Sequence, residues 1–481
     1  MANPLTIALG KLVQAAARLK GGAGSAFPGL VVEKIEPAFA VDVLRRLPHG
    51  VVVISGTNGK TTTTRIVAEL LRSQGLRVFT NATGSNFMRG VIAALLSQIT
   101  LGGRLDADIA VLELDEAHAT HFVQRVAPRH TLLLNVMRDQ LDRFGEIDHT
   151  ADLLAFVARH TTEAVVLNRE DGRLARFASR EDLREAPARL VWYGLAPALL
   201  SRFPSDDELY DEGTQGTRGT QGDGSFVLPK ESRGRYGGTK EPSPCVPKEP
   251  SPCVPPCVPS PCVPACVPAG TLEPEALVTL DALDSGRATY VVDGRPFQTA
   301  LELKGVYNAY NAAAALALVH VVLGEAAPTA QIVDCLATVK SAFGRGESFT
   351  VEGRMLEMVL VKNPGGFRLA LASFEAAGHD TMIAINDEYA DGRDMSWLFD
   401  VGFSTLRDEG AAMLSGTRAW DMALRLCYDE VPFAQVDTEL GRALDRFIEG
   451  STRPMRLYCT YTAMLRCRSH LAAYTAVSKV E

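Results

Sequence analysis

The stretch Val51-Val52-Val53-Ile54-Ser55-Gly56-Thr57-Asn58-Gly59-Lys60-Thr61-Thr62 constrains the fold of this chain more than any other. The apolar run Val51–Ile54 predicts a short buried strand, Gly56 and Gly59 a turn, and the segment from about Thr61 to Ser73 a helix. A strand that ends in a glycine-bearing turn against a helix start points successive backbone N–H groups at an anion, and the helix dipole adds to the attraction. Lys60 supplies a point charge for the β- and γ-phosphates of a nucleotide, and the Thr61 hydroxyl is placed for Mg²⁺. Gly56, Thr57, Asn58, Gly59, Lys60, Thr61 and Thr62 are therefore the expected phosphate-binding loop, with ATP as the ligand. The strict pattern Gly-x4-Gly-Lys-Thr would need glycine at position 54, where this chain has Ile54.

Strand and helix patterns alternate after the loop. Strands are expected at Arg77–Thr80, Ile109–Leu114, Thr131–Leu134, Ala164–Leu167 and Leu190–Tyr193, with helices at Gly90–Leu96 and Glu116–Val126 between them. Such alternation implies a parallel sheet covered on both faces. Further on, the runs Ala276–Leu280, Ala288–Val292 and Thr299–Leu303 read as antiparallel strands, with Asp293-Gly294 as a hairpin turn. A helix is expected over Asn311–Leu323. A second alternating series begins near Arg354 and continues through strands Met355–Val361, Met382–Asn386, Ala412–Leu414, Phe433–Val436 and Arg456–Tyr461. The fold class is α/β: a parallel-sheet, phosphate-loop domain followed by a second doubly wound α/β domain. The expected bounds are a helical extension 1–46, an ATP-binding domain 47–324 and a C-terminal domain 325–481.

Residues 204–270 break this order. Cys-Val-Pro recurs five times, from Cys245, Cys253, Cys257, Cys262 and Cys266. Proline at this density removes backbone donors and blocks helix, which favours a disordered or polyproline-like insertion. Cys253 and Cys257, and Cys262 and Cys266, also have paired zinc-ligand spacing, but without the glycine knuckles or the long gap between pairs. Both readings stay open.

The net charge of −8 argues against a nucleic-acid partner, which needs a basic face. No run is read as approaching the ~18–20 apolar residues of a transmembrane helix. The N-terminal segment has neither the leading positive charge nor the cleavage site of a secretory signal, so a helix over 3–19 and a cytoplasmic location are expected.

The loop Gly-Thr-Asn-Gly-Lys-Thr-Thr resembles that of the Mur ligase family, the ATP-dependent enzymes that join amino acids to peptidoglycan precursors. The resemblance extends to Glu113 at a strand end, which matches the family's Mg²⁺-binding glutamate. It includes the segment Asn135–Gly145, where Gln140 replaces a metal-facing histidine. Gly305-Val306-Tyr307-Asn308-Ala309-Tyr310-Asn311 resembles the adenine-side motif, with Tyr307 in place of histidine, and implies nucleotide roles for Asn308 and Asn311. Gly344-Arg345-Gly346-Glu347 resembles the linker arginine motif.

Arg138–Asp148, Asn386–Trp397 and Lys362-Asn363-Pro364-Gly365-Gly366 are similar to the MurT branch, the synthetase subunits of lipid II isoglutaminyl synthase. That branch implies amidation of the α-carboxyl of D-glutamate in lipid II or a related muropeptide, through an acyl phosphate. It implies ammonia from a GatD-like glutaminase partner, whose Cys-His pair Asp394 would complete. MurT-type proteins carry a four-cysteine zinc ribbon where this chain has its proline repeat. Independently of the resemblance, no cysteine here sits on a Gly-x-Cys-x-Gly-like turn, so glutamine hydrolysis belongs to another chain. The alternatives are a self-sufficient Mur-type or folylpolyglutamate-type amino-acid ligase, disfavoured by Gln140, Tyr307 and the acid-rich loop 386–397, and a non-catalytic ATP-binding scaffold, disfavoured by the retention of Lys60, Thr61 and Glu113. With lipid II as substrate, the reaction lies at the inner face of the cell membrane. Helix 3–19 either packs on the ATP-binding domain, the favoured reading, or grazes that membrane.

Overall fold

The computed structural model describes residues 3–19, 26–81, 87–137, 147–203, 274–284, 286–303, 305–324, 327–340, 345–374 and 376–477. The insertion 204–270 with its cysteines, and Gln140, lie outside these residues. Two sheets organise the rest. The first contains β1 (Val51–Ser55), β2 (Val78–Thr80), β3 (Ile109–Glu113), β4 (His130–Leu133), β5 (Ala164–Asn168), β6 (Arg189–Leu195), β7 (Ala276–Asp284), β8 (Arg287–Val292) and β9 (Arg295–Ala300). Its order is β2-β3-β1-β4-β5-β6-β7-β8-β9, parallel from β2 through β7 and antiparallel across β7-β8-β9.

The alternation of side chains sends β1 into two cores. Val52 and Ile54 pack under helices Lys60–Ser73 and Val306–Leu323, while Val51 and Val53 join Ile7, Val32, Phe39 and Leu95 on the opposite face. The N-terminal helices therefore share the core of the first sheet. That core also includes Ile332, Val333, Leu336 and Val339, so it extends beyond the expected boundary at residue 324.

Two readings need correction. Val306–Leu323 is, by length and composition, apolar enough to cross a membrane, contrary to the expectation that no run approaches that length. It is mostly buried, and its alanines allow close packing on the sheet and on helix Lys60–Ser73, which is why it is apolar on nearly every side. The strand expected at Thr299–Leu303 is β9 at Arg295–Ala300. Asp293 and Gly294 both have positive φ, and this two-residue turn joins β8 directly to β9.

The second sheet contains β10 (Arg345–Val351), β11 (Arg354–Leu360), β12 (Asp380–Ala384), β13 (Ala411–Ser415), β14 (Phe433–Asp437) and β15 (Met455–Cys459). The order is β10-β11-β15-β12-β13-β14, parallel except for the β10-β11 hairpin. Helices on both faces complete a doubly wound lobe.

Candidate active site

Strand β1 lies between β3 and β4, so the loop after it opens at the carboxyl end of the sheet beside the ends of both neighbours. Residues after β4 fasten that loop. Thr57 N donates to Asn135 O (3.0 Å), Asn58 N to Asn135 Oδ1 (2.8 Å), and Asn135 Nδ2 to Asn58 O (3.1 Å). Met137 N donates to Thr57 Oγ1 at 3.0 Å. The Asn135 side chain thus holds the loop by both of its amide groups, a role the sequence did not assign to it. Gly59 has φ +88°, and a Cβ there would stand 2.7 Å from Asn311 Oδ1. Only glycine meets both demands without strain.

Lys60 Nζ donates to Gly56 O (2.5 Å) and Thr57 O (3.3 Å) and forms an ion pair with Glu116 Oε2 at 3.4 Å. Both side chains are buried. Burial raises the Glu116 carboxyl above its ordinary range, and the Lys60 charge opposes that shift. Thr61 Oγ1 donates to Glu113 Oε1 at 2.9 Å. Glu113 ends β3 opposite Ile54, and its backbone is held by Asn81 through N–H···Oδ1 (2.9 Å) and Nδ2–H···O (2.8 Å) bonds.

A Mg²⁺ ion takes hard oxygen ligands, usually one or two from protein and the rest from phosphate and water. Thr61 and Glu113 fit that requirement. Among the described residues no cluster of three or more His, Cys, Asp or Glu forms an all-protein metal cage. Thr62 Oγ1 is buried without a hydrogen-bond partner and lines the cleft, a donor suited to a phosphate oxygen.

The cleft is lined on one side by Asn58, Gly59 and Thr62, with Tyr307, Asn308 and Asn311 from the start of helix Val306–Leu323. The C-terminal lobe supplies Leu360, Lys362, Gly366, Leu369 and Phe374. The lining combines the apolar side chains Leu360, Leu369 and Phe374 with the polar side chains Asn58, Thr62, Asn308 and Asn311, a composition suited to a nucleotide. Tyr307 stands edge-on to Phe203 at 4.9 Å, and burial pushes its hydroxyl pKa upward, keeping the ring neutral. Arg345 opens β10, opposite Val359.

Two residues of the C-terminal lobe touch the loop itself. Lys362 Nζ donates to Thr57 O at 3.0 Å. Asn58 Nδ2 donates to Asn363 Oδ1 (3.4 Å) and Asn363 Nδ2 to Asn58 Oδ1 (3.2 Å). Asn363 also caps helix Pro364–Ser373, accepting from Gly366 N at 2.7 Å.

The acid-rich loop after β12 separates into distinct roles. Asp387 accepts from Thr417 Oγ1 (2.8 Å) and Arg418 Nε (2.9 Å). Asp391 is buried and accepts from Thr462 N (2.8 Å) and Glu388 N (3.1 Å). Both shape the loop. Asp394 is exposed, and its Oδ1 accepts from Ser396 N at 2.9 Å, with hydrogen bonding from Ser396 holding its carboxyl below the usual range. It is not among the residues lining that cleft. Arg425 donates to Leu398 O (3.2 Å) and Val401 O (2.6 Å), tying the segment after Asp394 to helix Ala419–Tyr428. That helix exposes Trp420, Leu424 and Tyr428, and Phe399 packs at Tyr428.

Residues 54–215 match the Mur ligase middle domain, and residues 360–464 match the MurT ligase C-terminal domain. The lipid II isoglutaminyl synthase (glutamine-hydrolyzing) subunit MurT of Streptococcus pneumoniae is 27% identical over 477 residues, 95% of this chain and 94% of that protein. The protein of the same name from Staphylococcus aureus (strain N315) is 28% identical over 434 residues, 88% of this chain and 87% of that one. Among solved structures, MurF ligase from Thermotoga maritima in complex with ADP shares the fold, with TM-score 0.58 at 15% identity over 88% of this chain and 79% of that one. With both domain families matched and the curated relatives similar along nearly the whole length, the chain belongs to the Mur ligase family, in its MurT branch.

Proposed function

We propose that this chain is the ATP-using synthetase subunit of a two-chain amidotransferase that converts the D-glutamate α-carboxyl of the lipid II stem peptide to D-isoglutamine. The observation that carries this reading is the assembled loop: Lys60, Thr61 with Glu113, and the cleft residues Thr62, Asn308 and Asn311 stand around one carboxyl sheet end. The likeness to MurT subunits supplies the acceptor class.

A carboxylate is a poor electrophile, so amidation needs prior activation. One carboxylate oxygen attacks the γ-phosphorus of ATP, the bond to the bridging oxygen breaks, and ADP leaves. Ammonia then attacks the acyl carbon. The carbon–oxygen bond to phosphate breaks, phosphate departs, and the nitrogen loses a proton. Gly56–Thr62 orient the nucleotide, and Lys60 offsets charge on the transferring group. Asn308 and Asn311 hold the nucleoside side of the cleft, a role that the family resemblance also gives Arg345. Mg²⁺ held by Thr61 and Glu113 would neutralise phosphate charge.

Ammonia comes from a GatD-like glutaminase subunit in this reading. Buried Cys459 and Cys467 are raised away from the thiolate form, Cys467 to about 12, and neither suits nucleophilic attack. In this reading exposed Asp394 orients a partner's histidine, and the apolar stripe Trp420-Leu424-Tyr428 is the docking face, on the helix tied to its loop. The reaction is assigned to the cytoplasm, at the membrane face where a lipid-linked precursor is accessible.

The test supplies the purified chain with ATP, Mg²⁺, lipid II and either ammonium or amino acids, with products read by mass spectrometry. Amide formation with ammonium alone is expected. Ligation of an amino acid would make the chain a self-sufficient ligase, and no turnover with either would leave a nucleotide-binding scaffold.

A further inference from the structure

The N-terminal helix Pro4–Leu19 has its polarity reversed for a surface helix. Thr6, Ile7 and Gly10 face inward, and Gly10 allows contact so close that a Cβ there would stand 2.7 Å from Val32 and 2.8 Å from Leu96. Its polar side chains also bond to the protein. Lys11 Nζ donates to Leu96 O (2.8 Å) and Gln14 Nε2 to Ala93 O (3.1 Å), both on helix Met88–Gln98. Every exposed residue from Pro4 to Ala17 is apolar. Leu5 is 78% exposed, Leu9 42% and Leu12 69%, and Ala8, Ala15 and Ala16 extend the same stripe at helical spacing. The adjoining helix Phe27–Ile35 adds Phe27 and Ile35, exposed at 55% and 52%.

Charge identifies the occupant. Residues 1–46 contain six basic and three acidic side chains, a net +3 within a chain of net −8, so the remainder carries −11. An anionic lipid surface attracts this end and repels the body, which orients the molecule with the leucine stripe downward. A second copy would bring two positive segments together.

We infer that this helix seats the enzyme on an anionic membrane, Leu5, Leu9 and Leu12 entering the headgroup boundary and Lys34, Arg45 and Arg46 contacting lipid phosphates. The inference deepens the proposed use of a lipid-linked substrate, and lipid binding itself is measurable without any turnover.

The experiment uses the full chain with its partner subunit and vesicles of phosphatidylcholine, with or without phosphatidylglycerol. The expected result is at least tenfold tighter binding to the anionic vesicles. The Leu5→Gln/Leu9→Gln/Leu12→Gln variant should lose at least tenfold, and Lys34→Glu/Arg45→Glu/Arg46→Glu should lose the preference for phosphatidylglycerol. Both variants should amidate a soluble muropeptide at the wild-type rate while showing a raised KM for vesicle-embedded lipid II. Absence of wild-type binding, or unchanged binding by both variants, overturns the inference. A dimer dispersed by the leucine substitutions, or loss of the partner subunit from that variant, also overturns it by revealing a protein occupant. If vesicles are bound but neither substrate is amidated, the functional reading fails and the docking face stands.

Discussion

Replacing Lys60 with methionine keeps most of the side-chain volume but removes the counter-charge of buried Glu116. A buried carboxylate left ionised after losing its partner costs ~3–5 kcal/mol. Taking up a proton instead limits the cost. A glutamate in the unfolded chain titrates near ~4.3, and each pH unit above that adds ~1.4 kcal/mol to the price of protonation. The ceiling is therefore about 3.7 kcal/mol at pH 7 and about 1 kcal/mol at pH 5. The sign follows from the raised carboxyl: the folded state binds the proton more readily than the unfolded one, so stability falls as pH rises through that window. Lys60→Met should lose up to ~3 kcal/mol between pH 5 and pH 7, and more than wild type loses, whereas Lys60→Met/Glu116→Gln should not. Urea unfolding would be followed by Trp192, in β6 of the same sheet, with Trp397 and Trp420 replaced by phenylalanine. Equal destabilisation at both pH values, or persistence of the pH dependence in the double variant, would refute the reasoning.

Four further outcomes follow from the site. Gly59→Ala, forced to hold φ +88° with its methyl 2.7 Å from Asn311 Oδ1, should cost ~1–2 kcal/mol in backbone strain and weaken nucleotide binding in calorimetry; unchanged affinity would contradict the tight approach. Asn58→Ala and Asn363→Ala each break the same amide pair, so a cycle read by nucleotide affinity should show coupling of ~1 kcal/mol, whereas additivity would mean that the lobes do not grip the loop through this pair. Asp394→Asn should abolish glutamine-driven amidation, spare the ammonium-driven reaction and leave the two chains associated, while Trp420→Glu/Leu424→Glu should separate them in size-exclusion chromatography. Equal loss of both nitrogen supplies in Asp394→Asn would remove Asp394 from the partner's site.

The phosphate loop was legible because its determinants are local: a β-branched run, two glycines and a helix start lie within twelve residues. The central parallel strands were legible for the same reason, β1, β4, β5 and β15 being short runs buried on both faces. Strand β10 was missed because Arg345–Val351 is an edge strand defined by its antiparallel pairing with β11. Helix Ile147–Arg159 was missed as well, although it carries an apolar face over Leu154, Ala155 and Val157. The roles of Glu116 and Asn135 escaped notice because they depend on contacts with residues 56 and 77 positions earlier. Asn363 reaches Asn58 across 305 positions, a distance that no local pattern encodes. The three loop aspartates look equivalent in sequence beside Gly392, and only burial and the bonds from Thr462 and Glu388 distinguish Asp391 from exposed Asp394.

The activation step has the most direct test. Lipid II labelled with ¹⁸O in the D-glutamate α-carboxyl would be incubated with the chain, ATP, Mg²⁺ and ammonium, and the released phosphate analysed by mass spectrometry. Transfer through an acyl phosphate predicts one labelled oxygen in inorganic phosphate for each amide formed. Amide formation with unlabelled phosphate, or with the label in AMP, would contradict it.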